Sequence, residues 1–327
     1  MLTISSRLNP TTGKGGSLLG AVRTVCGDIP DDRLGVAMAH EHLCCDFSLS
    51  GGSPDNCMRD WELIAAELQF YKRSGGAAVF EVTPCDMGSD PEALRRISAE
   101  SGVHIVHGIS FYREDRYPDW VRAASAESLA EFFASRIEDG VQGVRCGLIG
   151  EIGSHNEPEP DPKGYRLREG EAKVFRAAAL AQRTTGAAIS THASLGRAGH
   201  AQLDVLEDAG ADLSRVAIGH CDAHGHDDEK IDLEYYLPIL ERGAYVQFDL
   251  IGLRARRLAT LIARGCASQL LLSSDTCRLS QLQANGGRGY DHVLTQFVPR
   301  LRSLGVAEEA IETMLVKNPV HFVSLRR

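Results

Sequence analysis

The stretch Val36-Ala37-Met38-Ala39-His40-Glu41-His42-Leu43 decides how the rest of the chain is interpreted. Apolar residues lead into two histidines that are separated by a single residue. In an extended strand, side chains two residues apart point to the same side, so His40 and His42 can face one metal ion. Neutral imidazole is the commonest protein ligand for transition metals. Alone, a His-x-His pair is a weak signal, and its meaning depends on what later strands supply.

After this stretch, short apolar strands alternate with amphipathic helices. Seven further strands are predicted, at 77–83, 103–108, 146–152, 187–192, 215–220, 244–249 and 269–274. The predicted helices follow the strands in turn, at 58–71, 91–101, 125–138, 169–184, 200–209, 233–242, 254–264, 290–303 and 307–317. Apolar strands that alternate with helices indicate a parallel sheet covered on its outer face. Eight such units in 327 residues predict an α/β fold, a single-domain (β/α)8 TIM barrel.

A doubly wound open sheet is the alternative fold. It ranks lower because no glycine fingerprint follows the first strand. No change in composition marks a second domain, so the barrel is expected to occupy residues 21–327. Residues 1–20 are rich in Gly, Ser and Thr without periodicity and are predicted to be a loose N-terminal lead-in. A short β-like run at 22–25 and a turn at 27–32 precede the opening strand.

Composition narrows the class of protein. A hydrophobic content of 43% allows a sizeable core. The net charge of -9 disfavours nucleic acid and anionic membranes as partners. No apolar run reaches the length of a membrane span, and the start of the chain lacks a signal-peptide core. The nine cysteines are scattered without a CxxC pair, which predicts reduced thiols in a cytoplasmic protein.

In a barrel of this type the working residues lie at the carboxyl ends of the strands. The predicted strand ends carry four histidines and two carboxylates: His40, His42, Glu151, His192, His220 and Asp275. A hydrogen-bonded histidine or a capping aspartate is the ordinary explanation of each one alone. Together at one rim they predict a metal site. Six ligands exceed what one tetrahedral zinc requires and fit two divalent ions, bridged by a carboxylate and a solvent-derived hydroxide.

Longer motifs resemble those of the phosphotriesterase-related family, within the amidohydrolase superfamily of metal-dependent hydrolases. The matching pieces are Thr24-Val25 with Gly27 and Ile29, residues 39–43, residues 147–153, residues 219–222, Ser274-Asp275, residues 286–292, and Lys317-Asn318-Pro319 followed by Phe322. The resemblance runs from about residue 21 to the C-terminus.

This resemblance implies a role for each candidate ligand. His40, His42 and Asp275 would hold the more buried metal, and His192 and His220 the more exposed one. Glu151 would bridge both metals, in the position where phosphotriesterases proper carry a carboxylated lysine. The implied cofactor is two divalent ions per chain, with Zn²⁺ preferred and Mn²⁺, Co²⁺ or Fe²⁺ as alternatives.

The resemblance also implies a mechanism. The bridging hydroxide would attack a carbonyl or phosphoryl centre, and Asp275, the predicted catalytic residue, would accept the hydroxide proton and pass it on. Asp222 could take that proton or orient a ligand imidazole, and a loop-capping role is an equal alternative. Strand 7 ends in Asp249 and lacks the proton-relaying histidine expected there in true phosphotriesterases. Organophosphates are therefore disfavoured as natural substrates.

Loops after strands 3, 7 and 8 are expected to shape the substrate pocket. The candidate substrate residues in these loops are Tyr112, Arg113, Arg254 and Arg278, with Phe111 and Arg288 as neighbours. An arginine that faces the metals favours a substrate carrying a carboxylate, sulfonate or phosphate. For any single arginine, a solvated position on the surface is the ordinary alternative.

Other histidines and thiols are assigned no chemistry. His224 and His226 form a second His-x-His pair, but their polar surroundings predict an exposed loop. His104 and His107 lie in strand 3 and are interpreted as core residues or as residues behind the ligands. Cys221 follows a candidate ligand but has no separate histidine partner that would make it a nucleophile.

The sequence thus favours a binuclear metal-dependent hydrolase that cleaves a small carboxylic ester or lactone, with phosphotriesters as a side activity. An N-acyl amide hydrolase of the N-acyl amino acid type is nearly as well supported. A non-catalytic small-molecule-binding barrel and a mononuclear deaminase-like enzyme rank lower. The expected partner is a small-molecule substrate, and a homodimer is left open.

Overall fold

The structure, a computed structural model, describes residues 20–50, 52–155, 157–158, 165–193, 197–223, 231–250 and 254–325. Eight parallel strands form one sheet: β1 (Ala37–Glu41), β2 (Ala78–Glu81), β3 (His104–Ile109), β4 (Leu148–Ser154), β5 (Ala188–Ala193), β6 (Val216–Ile218), β7 (Tyr245–Phe248) and β8 (Leu270–Leu272). The strands follow one another around the sheet in chain order. The predicted lead-in comprises residues 1–20. All of them except Gly20 lie outside the described part of the chain.

The sheet curls until its first and last strands meet. The N–H of Asp275 donates to the carbonyl of His40 at 3.3 Å, and the N–H of His42 donates to the carbonyl of Thr276 at 3.3 Å. These bonds join β1 to the residues that follow β8, at the carboxyl ends of both strands. The predicted (β/α)8 barrel is therefore confirmed, and its seam lies beside the candidate ligands.

Helices cover the outside of the barrel: α1 (Trp61–Arg73), α2 (Pro91–Ser101), α3 (Ala126–Glu138), α4 (Glu169–Thr185), α5 (Gly199–Asp208), α6 (Leu233–Glu241), α7 (Ala255–Ala263) and α8 (Val298–Ser303). A short helix, Asp119–Ala123, precedes α3. A π-helical turn, Val293–Phe297, leads into α8. The chain continues through Glu308–Glu312, a second π-helical turn at Thr313–Lys317, and Asn318–Val323.

Local chemistry sets the helix ends. The Asp60 side chain accepts the Leu63 N–H, so α1 begins at Trp61 and not at residue 58 as the periodicity predicts. Asp90 caps α2 in the same way, with Pro91 in the first turn. Gly102 ends α2 in the left-handed conformation.

Three strands differ from their predicted ranges in ways that matter for the site. β6 ends at Ile218, two residues earlier than predicted, so His220 lies beyond the strand. β8 ends at Leu272, also two residues early, so Asp275 lies three residues past its strand. β4 runs to Ser154, two residues further than predicted, so Glu151 lies at the middle of the strand. None of the helices in the described part combines the length and apolarity that crossing a bilayer requires.

A cluster of buried apolar side chains fills the barrel interior and its amino-terminal end. Small and large side chains share this space, among them Ala37, Ala39, Ala78, Phe80, Val106, Leu148, Ala188, Ala217, Tyr245 and Leu271. Phe322 closes the amino-terminal end, with its ring 6.5 Å from that of Phe80 and 5.5 Å from that of Tyr245. A hairpin of Ala21–Thr24 and Gly27–Pro30 lies beside it, through a bridge from Ala21 to Leu325. Apolar packing thus occupies one end of the barrel and leaves the other to polar groups.

Replacing Phe322 with Ala should lower the free energy of unfolding by about 3–5 kcal/mol, because a fully buried ring leaves a cavity. Urea denaturation would measure the loss. Leu304, 39% exposed, supplies the control, since its replacement by Ala should change the same quantity by less than about 0.5 kcal/mol. Equal effects of the two substitutions would contradict the closing role of Phe322.

Candidate metal centre

The first two histidines come from the end of β1. His40 is its fourth residue and His42 follows the strand directly, and both are buried. The pairing register with β2 shifts between Met38 and Glu41. The Nε2 atoms of both imidazoles approach Glu151, His40 at 3.2 Å from Oε2 and His42 at 3.6 Å from Oε1. The two rings therefore face the same carboxylate, as their spacing predicts.

Glu151 lies between the two histidine pairs. Its Oε2 atom lies 3.2 Å from Nε2 of His40 on one side and 3.0 Å from Nδ1 of His192 on the other. Burial opposes ionisation of this carboxyl group, but the His192 and His40 imidazoles outweigh it and hold its pKa well below its usual range. A charged carboxylate shared by both pairs is what a bridging ligand requires.

The second histidine pair comes from β5 and from the turn after β6. Nε2 of His220 lies 2.7 Å from Nδ1 of His192. His220 has a φ of +53°, and it follows Gly219, where a Cβ would lie 2.0 Å from the Thr191 carbonyl oxygen. Glycine at 219 thus lets the chain pass β5 closely enough to bring the two imidazoles together.

Asp275 completes the group from beyond β8. Its Oδ1 atom lies 3.2 Å from Nε2 of His42 and 3.7 Å from Nε2 of His40. Its φ is +47°, an uncommon conformation for a residue other than glycine. The side chain is 14% exposed, against 0% for His40, so Asp275 reaches both the cluster and the open space above it.

The donor set fits divalent cations. Ligand atoms of His40, His42 and Glu151 lie within 4.8 Å of one another, and so do those of Glu151, His192 and His220. Neither ring nitrogen of the buried His40 makes a hydrogen bond within the described part of the chain. Carboxylate oxygens lie 3.2 and 3.5 Å from these two nitrogens without forming a hydrogen bond. Buried imidazole nitrogens that lack a hydrogen bond are costly unless a ligand satisfies them. The chain therefore has a candidate metal-binding cluster that contains five of the six predicted residues, and the sixth, Asp275, contacts it.

Asp249 supports both histidine pairs from behind, a role that its sequence position alone does not reveal. Its carboxylate lies 2.8 Å from Nδ1 of His220 and 3.5 Å from Nδ1 of His40, and it accepts the His220 N–H at 3.0 Å. Burial opposes its ionisation, but the His220 imidazole holds its pKa below the usual range. A carboxylate on the far nitrogen of a ligand histidine fixes the ring and raises its basicity.

Asp222 holds the loop on which Asp249 lies. Its Oδ1 atom accepts the N–H groups of Asp249 at 3.2 Å and Leu250 at 3.1 Å. These contacts match the loop-capping alternative, and burial raises the pKa of Asp222 to about 7. Its contact with the ligands runs through the Asp249 backbone.

A second buried chain of contacts leads outward from His42. Nδ1 of His42 lies 2.8 Å from Oγ1 of Thr83, and that hydroxyl donates to Glu81. Glu81 lies 3.4 Å from Nδ1 of His107 through its other oxygen. His107 thus lies behind the ligands, as its position in β3 suggests.

A cavity of about 300 Å³ opens above the cluster. Its lining includes five of the candidate ligands together with Phe47, Gly52, Asn56, Tyr112, Arg113, Cys277 and Arg278. The Tyr112 ring lies 4.8 Å from that of His192, and the Phe47 ring lies 5.1 Å from that of His42. The Arg113 guanidinium stacks on Tyr112 at 4.8 Å. Aromatic walls and two cations therefore surround the entrance to the cluster.

Three of the four predicted substrate residues line this cavity, and one does not. Tyr112, Arg113 and Arg278 line this cavity, whereas Arg254 is not part of its described lining and donates from Nε to the Asp222 carbonyl at 2.8 Å. Arg288 lines a neighbouring cavity of about 540 Å³, beside Ser274 and Thr276. The predicted exposed pair His224 and His226 lies outside the described residues. Cys221 and Phe111 are buried.

A parallel barrel with this set of histidines and carboxylates at its carboxyl rim is the architecture of a metal-dependent hydrolase. The chain belongs to the Phosphotriesterase family, whose sequence profile matches residues 20–323.

Individual relatives cover nearly the whole chain. It is 37% identical to the Phosphotriesterase homology protein of Escherichia coli over 301 residues, which are 89% of this chain and 98% of that protein. The crystal structure of that protein, complexed with phosphate in its active site, superposes with a TM-score of 0.82. Human N-acetyltaurine hydrolase is 29% identical, with 95% of this chain and 99% of that protein covered. A lactonase from Listeria monocytogenes, 24% identical over 94% of this chain and 100% of its own, shares the fold with a TM-score of 0.85.

Replacing Asp249 with Asn should weaken metal binding by about 10- to 100-fold, because the charge behind His220 and His40 is lost. Titration of the metal-free protein with Zn²⁺ against a competing chelator would measure the change. Asp291 is a matched control because it is also buried, but it accepts a hydrogen bond from the Ser74 hydroxyl at 3.1 Å, at the end of the outer helix α1. Asp291→Asn should leave the affinity unaltered, and an equal loss in both variants would argue against the supporting role of Asp249.

The pKa of His107 gives a pH-dependent prediction. Burial lowers this pKa, but the Cys146 thiol and the Glu81 carboxylate outweigh burial and raise it from 6.5 to about 10. The folded state therefore binds this proton more tightly than the unfolded state. The resulting stability is fully present below about pH 6.5 and is lost as the pH rises through about 10.

His107→Gln should accordingly destabilise the protein most at about pH 6 and progressively less towards pH 10, as measured by urea denaturation. His104 on the same strand is the control, because burial lowers its pKa. For His104→Gln the pH trend should have the opposite sign, with a relative gain at low pH. Parallel trends for the two variants would contradict the assignment.

Proposed function

We propose that this protein hydrolyses the amide bond of a small N-acyl compound whose amine portion carries a carboxylate or sulfonate. The observation that carries this proposal is the pair Arg113 and Arg278 on the cavity that opens over the candidate metal cluster. Guanidinium groups bind planar and tetrahedral oxyanions through charge-assisted hydrogen bonds. The activity of the human relative on N-acetyltaurine, an N-acyl sulfonate, supports the same substrate class.

The cluster would hold two divalent ions, with Zn²⁺ as the expected metal. When bound, such ions polarise an acyl carbonyl and lower the pKa of water towards neutrality. His40, His42 and Asp275 would hold one ion and His192 and His220 the other, with Glu151 shared. All of these side chains except that of Asp275 are buried, which limits the access of bulk water to this position.

Asp275 is the residue that we assign to proton transfer. Its carboxylate contacts the cluster and, with 14% of the side chain exposed, is the most exposed of the six candidate ligands that face the cavity or lie beneath it. From there it can take the proton that water loses on attack and deliver it to the departing amine nitrogen. An amine is a poor leaving group until it is protonated, so this transfer is needed for amide cleavage.

The cavity walls select for small substrates. A volume of about 300 Å³ accommodates a short acyl group and a compact amine. Phe47 and Tyr112 would pack against the acyl chain while the arginines hold the anionic end. A carboxylic ester or lactone with the same charge would use the same contacts, and it is therefore the second candidate.

The test is a screen of metal-loaded protein against N-acetyltaurine, N-acetyl amino acids, the neutral amide N-acetylethylamine, lactones, acyl esters and a phosphotriester. We expect the anionic amides to have the highest kcat/KM. Arg278→Gln should raise KM for N-acetyltaurine by about tenfold or more and leave the neutral amide unchanged. Arg288→Gln, in the neighbouring cavity, is the matched control and should alter neither.

Asp275→Asn in the same screen should lower kcat by about 10²- to 10⁴-fold, the usual contribution of a general acid–base group. Metal content would be measured in parallel by elemental analysis. Retained turnover would remove Asp275 from proton transfer. A preference of the wild-type protein for neutral amides or lactones would overturn the proposed substrate class.

A further inference from the structure

We propose that Glu41, the residue between His40 and His42, is a positioning residue that holds Asp275 against the candidate metal cluster. Its effect on turnover rests on the proposed function, whereas its effect on metal binding does not. Glu41 is fully buried and, although it is adjacent to His40 and His42, its carboxylate faces the segment that follows β8.

One carboxylate binds both neighbours of Asp275. Its Oε1 atom accepts the Ser274 N–H at 2.8 Å and the Ser274 hydroxyl at 2.7 Å. Its Oε2 atom accepts the Thr276 N–H at 2.9 Å. The hydroxyl of Ser273 lies 2.8 Å from Oε1 as well. The backbone N–H groups of the residues before and after Asp275 are thus fixed to the same side chain.

These bonds to Glu41, which together form a clamp, restrain a segment whose backbone conformation is unfavourable. Asp275 has a φ of +47°, a conformation that costs free energy for a residue with a Cβ and persists only where the surroundings enforce it. Two backbone bonds of the seam, from Asp275 to His40 and from His42 to Thr276, are both 3.3 Å long. The bonds from the Ser274 and Thr276 N–H groups to Glu41 are shorter, at 2.8 and 2.9 Å, so they are the stronger restraint.

Replacement by glutamine separates this function from burial and size. Glu41→Gln keeps the volume of the side chain, but its amide has one oxygen and one NH₂ group. Whichever way the amide is oriented, an N–H of Ser274 or Thr276 loses its acceptor and faces another donor. The segment around Asp275 should then relax and withdraw the Oδ1 atom from His42 and His40.

Glu67, in α1, provides a matched control because it binds the same loop. It is also a buried glutamate, and it accepts the N–H groups of Gln283 and Ala284, each at 2.8 Å. These contacts restrain the loop after β8 without touching the neighbours of Asp275. Glu67→Gln therefore reproduces the loss of a buried carboxylate clamp but not the loss of the clamp on Asp275.

The experiment is a titration of the metal-free proteins with Co²⁺ alone, followed by visible absorption, with kcat and KM measured on the best substrate. For Glu41→Gln we expect at least one Co²⁺ to bind about tenfold or more weakly, with an altered absorption band. We expect kcat to fall by about 100-fold with little change in KM. Glu67→Gln should resemble the wild type in both readouts. Ser274→Ala removes the 2.7 Å bond to Glu41 and the 3.2 Å contact with Thr276 Oγ1 but keeps both backbone bonds to Glu41. It should give a smaller change in the same direction, which keeps the test usable if Glu41→Gln does not fold.

Wild-type Co²⁺ affinity and absorption in Glu41→Gln would overturn the positioning role, and so would equal losses in Glu41→Gln and Glu67→Gln. If Glu41→Gln does not fold, an unaltered Ser274→Ala protein would overturn it. A wild-type protein that turns over none of the proposed substrates would instead reject the proposed function. The Co²⁺ comparison would still decide the role of Glu41 in that case, because it requires no substrate.

Discussion

The seam between the first and eighth strands is the contact on which both the barrel and its polar rim depend. Hydrogen bonds between His40, His42 and residues 275–276 join the two strands, and the same residues supply three of the candidate ligands. A barrel that failed to close here would separate Asp275 from the two histidines. Closure of the sheet and assembly of the cluster are therefore one structural event.

Shared polar contacts explain why so many ionisable groups can be buried at this rim. Glu151 and Asp249 each contact imidazoles from both histidine pairs, so each buried carboxylate has more than one polar partner. The cost of burying an isolated carboxylate is large, and it falls when the carboxylate has close polar partners. The apolar packing around Phe322 at the other end contributes stability that the polar rim does not.

The sequence contains enough information to predict the barrel and the six candidate ligands, because strand ends in a parallel barrel converge on one rim. It does not reveal the roles of Asp249 and Glu41. Their importance depends on which atoms they reach across the seam or behind a ring, and such contacts have no spacing signature. The arginines of the predicted substrate loops show the same limit, because the sequence gives no reason to prefer one over another. Arg113 and Arg278 line the cavity above the cluster, whereas Arg254 binds the Asp222 carbonyl and Arg288 lines the neighbouring cavity.

The position of Asp275 so far along the chain has a consequence for biosynthesis. His40 and His42 leave the ribosome early, but the seam that completes the rim forms only after residues 273–276 have emerged. Phe322, which closes the amino-terminal end of the barrel, is synthesised later still, in the helix Asn318–Val323. A nascent chain therefore passes most of its synthesis with an open sheet edge at β1 and an incomplete set of ligands. Tight binding of the proposed metal ions therefore requires a chain that has been synthesised at least through residue 276.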